Sequence, residues 1–436
     1  MRVAQIAPLA ESVPPKLYGG TERVVSWLAD ELVALGHEVT LFASGDSRTK
    51  AKLVPAWPRA LRLSRPRAAP AAACASLLEV VAEAAGDFDL IHSHVDWLHL
   101  PLLRRLRTPF LTTLHGRLDL PEVPLAMQRF PGAPFISISQ SQRAPLPDLH
   151  WLATIHHGMP ADLLALSEQP EGYLAFLGRI TADKGPDIAI RVARAAGVPL
   201  RIAAKVPRAE NRYFNETIKP LLDGNNVRFL GEVNDRQKQA FLGNAAALLF
   251  PIDWPEPFGL VMIEAMACGT PVIAWPRGSV REVIEDGVTG FVVDSEAEAV
   301  EAIGRIGCLD RRLIRKRFEQ RFSARRMAQE YVETYRRLSA RDAAMAPMVG
   351  AKSMRAPGLI RGGPAAGNGA LPWLSSQRSI AASILSSFFR AIALASASTT
   401  SLVLRSLRAF RASSSRTNAS SRSGGSRIAF RQRTWI

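Results

Sequence analysis

The sequence predicts an α/β protein of two domains, each a doubly wound parallel sheet covered by helices on both faces. Three observations predict it. Apolar strand-like runs alternate with helical runs from residue 1 to about 340. The alternation lapses over residues 159–171 and then restarts, which places a linker there. The chain of 436 residues exceeds one ordinary domain, and 47% apolar residues suffice for two cores.

In the first half, RVAQIAPLA reads as a buried strand leading into the loop ESVPPKLYGGT. The helix ERVVSWLADELVALG follows, closed by Gly36, and HEVTLFAS is the next strand. A strand, a Gly-Gly pair and a helix N-terminus together make an anion site. Lacking Cβ atoms, Gly19 and Gly20 let their N–H groups and that of Thr21 approach a phosphate. A bare Gly-Gly is more often only a turn. Residues 46–72 are basic, Pro-rich and aperiodic, and read as a surface excursion. A helix from Cys74 to Ala85 precedes the strand DLIHSHVDW, which sets His92 and His94 on one face with Asp96 and His99 beyond. No further ligand completes a metal site nearby, so none is expected. Asp87-Phe88-Asp89 spells the D-x-D of metal-dependent transferases, but at a helix-to-strand junction it reads as coincidence. PFLTTLHG ends at His115, where ligands of open α/β sheets collect. An imidazole there could donate to a ligand hydroxyl or to developing charge, or could be a capped core histidine. PFISISQSQR, with Ser139 at its tip, and LHWLATIHHG complete this half.

The second half begins with the strand YLAFLGRI, the loop TADKG and the helix PDIAIRVARAAG. Arg179 and Lys184 bracket that loop and could neutralise a leaving diphosphate, Arg as a fork and Lys as a point charge. Solvated surface charge is the alternative. PLRIAAKV, a helix, NVRFLGEV and another helix lead to the stretch around which the chain is organised, Leu249 to Asp294. It runs strand, Pro-rich loop, the helical FGLVMIEAMA with Pro257 at the first helical position, Gly269 as a left-handed cap, and the strand PVIAW. Glu256 lies in the loop and Glu264 on the helix. A fully helical interval would separate them by about 12 Å, too far to share a proton or flank one bond. The spacing suits a ligand gripped at two polar groups, or two unrelated surface carboxylates. Glu296 to Leu338 reads as two helices, the second rich in Arg.

EPFGLVMIEAMACGTPVIA is similar to the E-x7-E signature of the retaining family 4 glycosyltransferases. The resemblance implies the GT-B fold, two Rossmann-like domains facing across a cleft. It implies that Glu256 contacts the donor sugar's hydroxyls and that Glu264 holds the nucleotide ribose. Phe258 and Gly259, inside the same motif, are expected at the donor as well. YGGTE resembles the family's loop over the donor diphosphate, LHG the setting of its active-site His, and GRITADKG its phosphate-binding loop. The implied catalytic set is Glu256, His115, Arg179 and Lys184. The implied donor-binding set is Gly19, Gly20, Arg179, Lys184, Glu256, Phe258, Gly259 and Glu264, with no metal. The crossover strand carries His157-Gly158 where the family has Asn-Gly, which puts the role of that Asn in doubt. The implied reaction moves a sugar from a UDP- or GDP-linked donor to an acceptor hydroxyl with retention, and needs no further cofactor. The resemblance spans residues 1–340. The expected domains are 1–158 on the acceptor side, the linker 159–171 and a nucleotide-sugar domain at 172–317. A helix at 318–342 would pack back on the first domain, ahead of a tail at 343–436.

Of the net charge of +16, 13 sits in that tail. Residues 343–436 hold no Asp or Glu, so residues 1–342 carry 42 of the 55 basic residues and all 39 acidic ones, a net of +3. An argument from overall charge for specific nucleic-acid binding therefore fails. The tail's Ser, Ala, Arg and Gly bury too little apolar surface to order, so disorder is expected, with peripheral contact at an inner membrane surface as one role. Three scattered cysteines, no secretory signal and no long apolar span suggest a cytoplasmic setting. The competing readings are a nucleotide-sugar epimerase on the same scaffold and a non-catalytic protein acting through its basic tail.

Overall fold

The apolar runs of the first half pair into a seven-stranded parallel sheet. Its strands are β1 (Arg2–Ile6), β2 (Glu38–Ser44), β3 (Lys52–Trp57), β4 (Leu90–Ser93), β5 (Phe110–Thr113), β6 (Phe135–Ser137) and β7 (Trp151–Thr154), in the order β3-β2-β1-β4-β5-β6-β7. A six-stranded parallel sheet repeats the design with β8 (Tyr173–Arg179), β9 (Leu200–Lys205), β10 (Val227–Gly231), β11 (Ala245–Phe250), β12 (Val272–Ala274) and β13 (Gly290–Val292), in the order β10-β9-β8-β11-β12-β13. The structure is a computed structural model and describes residues 1–345 apart from 17, 63, 66 and 67. The basic tail therefore lies, from residue 346, outside the described residues.

Near-continuous apolar strands such as AAALLF belong in a parallel sheet, because helices cover both faces. The first sheet carries α1 (Gly20–Ala34), α2 (Pro70–Ala84), α3 (Leu100–Leu103) and α4 (Glu122–Met127). The second carries α5 (Pro186–Ala195), α6 (Asn211–Tyr213), α7 (Asp235–Gly243), α8 (Leu260–Ala267), α9 (Val280–Val283) and α10 (Glu296–Arg305), followed by α11 (Arg311–Phe322) and α12 (Ala324–Met345). Strand order reverses between β1 and β4 and between β8 and β11. Crevices beyond the strand C-termini at such points are where open α/β sheets bind ligands.

Three sequence expectations need correction. Residues 46–72 are not only a surface excursion: they contain β3, paired with β2, and bury Ala56 and Ala60. Pro257 is not the first helical residue, since α8 starts at Leu260 with Gly259 as its cap. The terminal stretch is three helices rather than two, with breaks at Asp310 and Ser323. The helix expected between β9 and β10 is present as one unbroken helical run over residues 208–221, in which the α-helical α6 passes into a wider π-helical turn and a closing 3-10 turn.

The break at Ser323 is where the chain changes sheets. Arg311 and Arg315 of α11 donate to the backbone carbonyls of Gly243, Ala245 and Ala267 on the second sheet's side. After the break, α12 buries Tyr331 and Tyr335 against the first sheet. A buried tyrosine needs a partner for its hydroxyl. Tyr331 finds Thr113 of β5 at 2.9 Å, and Tyr335 finds His92 of β4 at 2.7 Å.

Candidate active site

The C-terminal ends of β5, β8, β9 and β11 and the N-termini of α1 and α8 face one cleft of about 410 Å³. That volume lies within the usual span for small-ligand sites. The cleft brings together Gly19, Gly20, His115, Arg179, Lys184, Glu256, Phe258, Gly259 and Glu264, which lie up to 245 positions apart in the chain.

Glu256 is held by two donors. Lys184 Nζ pairs with its Oε2, and Trp254 Nε1 donates to the same oxygen at 3.0 Å. Lys184 also lies 4.7 Å from the centre of the Trp254 ring, so the indole both orients the carboxylate and faces the cation. The turn behind Glu256 requires Gly278. With φ +60°, its built Cβ would stand 2.2 Å from the Glu256 carbonyl oxygen. Ser279 N–H donates to that same carbonyl at 3.0 Å. Glu264, 4% exposed on α8, accepts from Lys238 Nζ at 2.5 Å. Lys238 in turn lies 3.7 Å from Asp235, which accepts from Arg23 of α1 at 2.6 Å. A chain of alternating charge thus runs from the first domain's Gly-Gly helix to the E-x7-E helix.

Arg179 ends β8, and the parallel register sets it opposite Lys205 at the end of β9. Like charges directly opposite on a sheet are unfavourable. Neither forms a close ion pair among the described residues, although Lys205 is near enough to Glu11 to favour its charged form, and the buried Arg179 Nε makes no hydrogen bond. Both face the Tyr18 ring, at 5.9 and 5.5 Å from its centre, joined by Arg62 at 5.5 Å. Arg62 itself pairs with Glu11 at 2.9 Å. The Gly-Gly loop beneath Tyr18 needs glycine at 19: with φ +155°, a Cβ there would stand 2.8 Å from Pro15 Cβ.

His115 stands at the floor. Burial pushes its pKa down to about 3, so the ring is neutral, and a protonated imidazole donor is set aside. Its Nε2 lies 2.9 Å from His94 Nδ1 and its ring stacks on His157 with centroids 5.2 Å apart. His157 contacts Phe258 edge-on at 5.0 Å. Phe258 is 2% exposed, so its ring is core and the motif meets the cleft there through backbone. His92, His94 and His99 are tied to Gln5, Thr113, Tyr335, Ser93 and Thr112, and no group able to hold a metal occurs among the described residues. Asp89 of the D-x-D run is bound by Arg2 at 2.7 Å, a structural pair.

Sequence reading passed over Lys205, Lys238, Tyr18 and Trp254. Lys205 had the same signal as Arg179, a cation closing an apolar strand. Lys238 had none, because its partner is 26 residues away on another helix.

Residues 165–319 match the family described as glycosyl transferases group 1, and residues 18–159 match glycosyltransferase family 4. D-inositol 3-phosphate glycosyltransferase of Mycolicibacterium smegmatis is 28% identical over 331 residues, 63% of this chain and 75% of that protein. Phosphatidyl-myo-inositol mannosyltransferase of the same organism is 28% identical over 359 residues, 74% of this chain and 89% of that protein. Among solved structures, a glycosyltransferase involved in avilamycin A biosynthesis aligns with TM-score 0.60 and 27% identity, covering 78% of this chain and 98% of that one. Anabaena HepE in complex with UDP and glucose aligns with TM-score 0.59 at 22% identity, covering 77% of this chain and 100% of that one.

Proposed function

The chain is a family 4 glycosyltransferase of the GT-B fold, and from that premise we propose that it moves a hexose from a nucleotide-diphosphate sugar to an acceptor hydroxyl with retention of configuration. The observation that carries this reading is the placement of Arg179 beside Lys205 at adjacent strand ends, two cations in no close ion pair among the described residues, Lys205 having only a longer-range attraction to Glu11. They face the Gly19–Gly20 backbone across the same cleft. A diphosphate is the ligand that would relieve them.

In the reaction the bond between the anomeric carbon and the leaving phosphate oxygen breaks, and its electron pair stays on the diphosphate. The acceptor oxygen bonds to that carbon, and its proton passes to the leaving phosphate. Charge therefore grows on the diphosphate while the sugar becomes oxocarbenium-like. Arg179, Lys184, Lys205 and the backbone N–H groups of Gly19 and Gly20 address the first change. Donors preorganised at developing charge are worth about 2.7–4 kcal/mol each. Glu256, next to Lys184, would position the sugar hydroxyls, and Glu264 would take the ribose hydroxyls in place of Lys238. Retention follows from attack on the leaving group's own face, which needs no second carboxylate at the anomeric carbon.

UDP and UDP-glucose occupy the related HepE structures, which favours a uridine donor here. Calorimetry of UDP, GDP and ADP against the whole chain, beside Glu264→Ala, tests the reading. Selective binding of one nucleotide, weakened in the variant, is expected. A folded protein that binds none of the three would overturn the reading.

A further inference from the structure

Behind His115 lies a buried polar cluster that the reaction above leaves unused. His94 stands at the end of β4 and is 2% exposed; Gln5 of β1 is fully buried beside it. Gln5 Oε1 lies 2.7 Å from His94 Nε2, and His94 Nδ1 lies 2.9 Å from His115 Nε2. A carbonyl oxygen only accepts, so His94 must carry its proton on Nε2. Burial without a facing carboxylate keeps both rings neutral, so His94 Nδ1 is an acceptor. The proton between the two rings therefore belongs to His115 Nε2. That leaves His115 Nδ1 bare, buried and without a partner among the described residues, on a residue that lines the cleft.

The other arm of the amide agrees with this assignment. Gln5 Nε2 donates to Tyr335 OH at 3.1 Å, and Tyr335 OH lies 2.7 Å from His92 Nδ1. Tyr335 can donate to that nitrogen while accepting from the amide. His92 then carries its proton on Nε2, 2.8 Å from Thr113 Oγ1. Every member of this cluster has a complementary partner among the described residues except His115 Nδ1, a buried nitrogen on a residue that lines the cleft. Turning the amide over would reverse all three imidazole tautomers together.

We propose that Gln5 is a positioning residue: its side-chain carbonyl, acting through His94, fixes the tautomer of His115 so that Nδ1 accepts a hydrogen bond from a substrate hydroxyl. The group recognised there is a hydroxyl that donates, not a carbonyl or phosphate oxygen. The substrate half of this statement rests on the glycosyl-transfer reading; the tautomer half does not.

The test is nitrogen NMR of the full chain labelled with 15N-histidine, with His115→Gln assigning the signal. Protonation of His115 at Nε2 alone is expected. Protonation at Nδ1, or at both nitrogens, overturns the proposal, and wild-type protein suffices to decide. Gln5→Met then removes the acceptor at similar length, whereas Gln5→Glu retains one. In Gln5→Met, His115 should become a mixture of tautomers and kcat should fall about tenfold, the worth of one hydrogen bond. Nucleotide binding should hold. Gln5→Glu should keep the wild-type tautomer. A Gln5→Met protein that is merely less heat-stable, with an unchanged His115 signal and kcat, would reduce Gln5 to core packing. An expected tautomer in a protein that binds no nucleotide would instead defeat the glycosyl-transfer reading alone.

Discussion

Lowering the pH from 7.5 to 5.5 should cost this protein a large part of its stability, because its first domain buries neutral histidines. Burial pushes His99 down to about 4 and His115 to about 3. His92, His94 and His157 are pushed well below the ordinary value by the same cause. A histidine whose folded pKa is depressed contributes stability above its unfolded pKa of 6.5, and that contribution is lost as pH falls toward the folded pKa. At pH 5.5 the unfolded chain has taken up most of a proton at each such site while the folded chain has not. Each site then costs about 1.4 kcal/mol, so His99 and His115 together cost about 3 kcal/mol out of a typical total of 5–15. The other three act in the same direction. Glu11, Glu22 and Asp96 oppose them, since burial raises their pKa. A difference measurement removes these carboxylates from the comparison. Proton uptake on unfolding at pH 5.5 should fall by about two per molecule between wild type and a His99→Gln/His115→Gln double variant. Equal uptake would refute the burial argument.

Three further outcomes follow from the cleft. Arg179→Ala and Lys184→Ala should each lower kcat/KM by about a hundredfold or more, while Lys50→Ala, at an exposed site, should leave it unchanged; equal and small effects in all three would remove the diphosphate grip. Gly278→Ala should weaken donor binding while the circular dichroism spectrum is kept, because the added Cβ displaces the Glu256 backbone; unchanged binding would show that the turn yields without moving Glu256. EDTA should leave the rate unaltered if, as proposed, protein cations take up the diphosphate charge; loss of activity restored by a divalent ion would overturn that assignment.

Legibility followed the length and amphipathicity of each run. β1, α1, β8 and α5 were readable because several consecutive turns or pleats carry one pattern. β3 was not, since Pro55 lies within it and Pro58 follows directly. An edge strand tolerates proline because one side of its ladder has no partner. The start of α8 was misplaced because Pro257 offers a helix-start signal that the left-handed Gly259 overrides two residues later. The strand-end rule located Arg179 and His115, and applied evenly would have located Lys205. Gln5, Lys238 and Tyr335 lay beyond reach, because each takes its meaning from a partner on another element: Gln5 and Tyr335 across 330 positions, Lys238 across 26.

Charge in the cleft is distributed unevenly, and the unevenness is informative. Lys184, Lys238, Arg23 and Arg62 each face a carboxylate, from Glu256, Glu264, Asp235 and Glu11 respectively. Such pairs hold side chains in place but present little net field. Only Arg179 and Lys205, among the described residues lining the cleft, bring positive charge outside a close ion pair, and both face the ring of Tyr18, next to the Gly19–Gly20 turn. On the proposed reading, the potential that would draw a diphosphate is concentrated at one point, while Glu256 and Glu264, the carboxylates proposed to contact the donor, are already occupied by lysines. A ligand bearing both phosphate and hydroxyls can exchange into this arrangement: its phosphates recruit Lys184 as its hydroxyls replace that lysine on Glu256. A bare anion such as inorganic phosphate gains only the first half of the exchange. Inorganic pyrophosphate should accordingly compete poorly with a nucleoside diphosphate, and Glu264→Ala should narrow the gap between them by weakening the nucleotide alone.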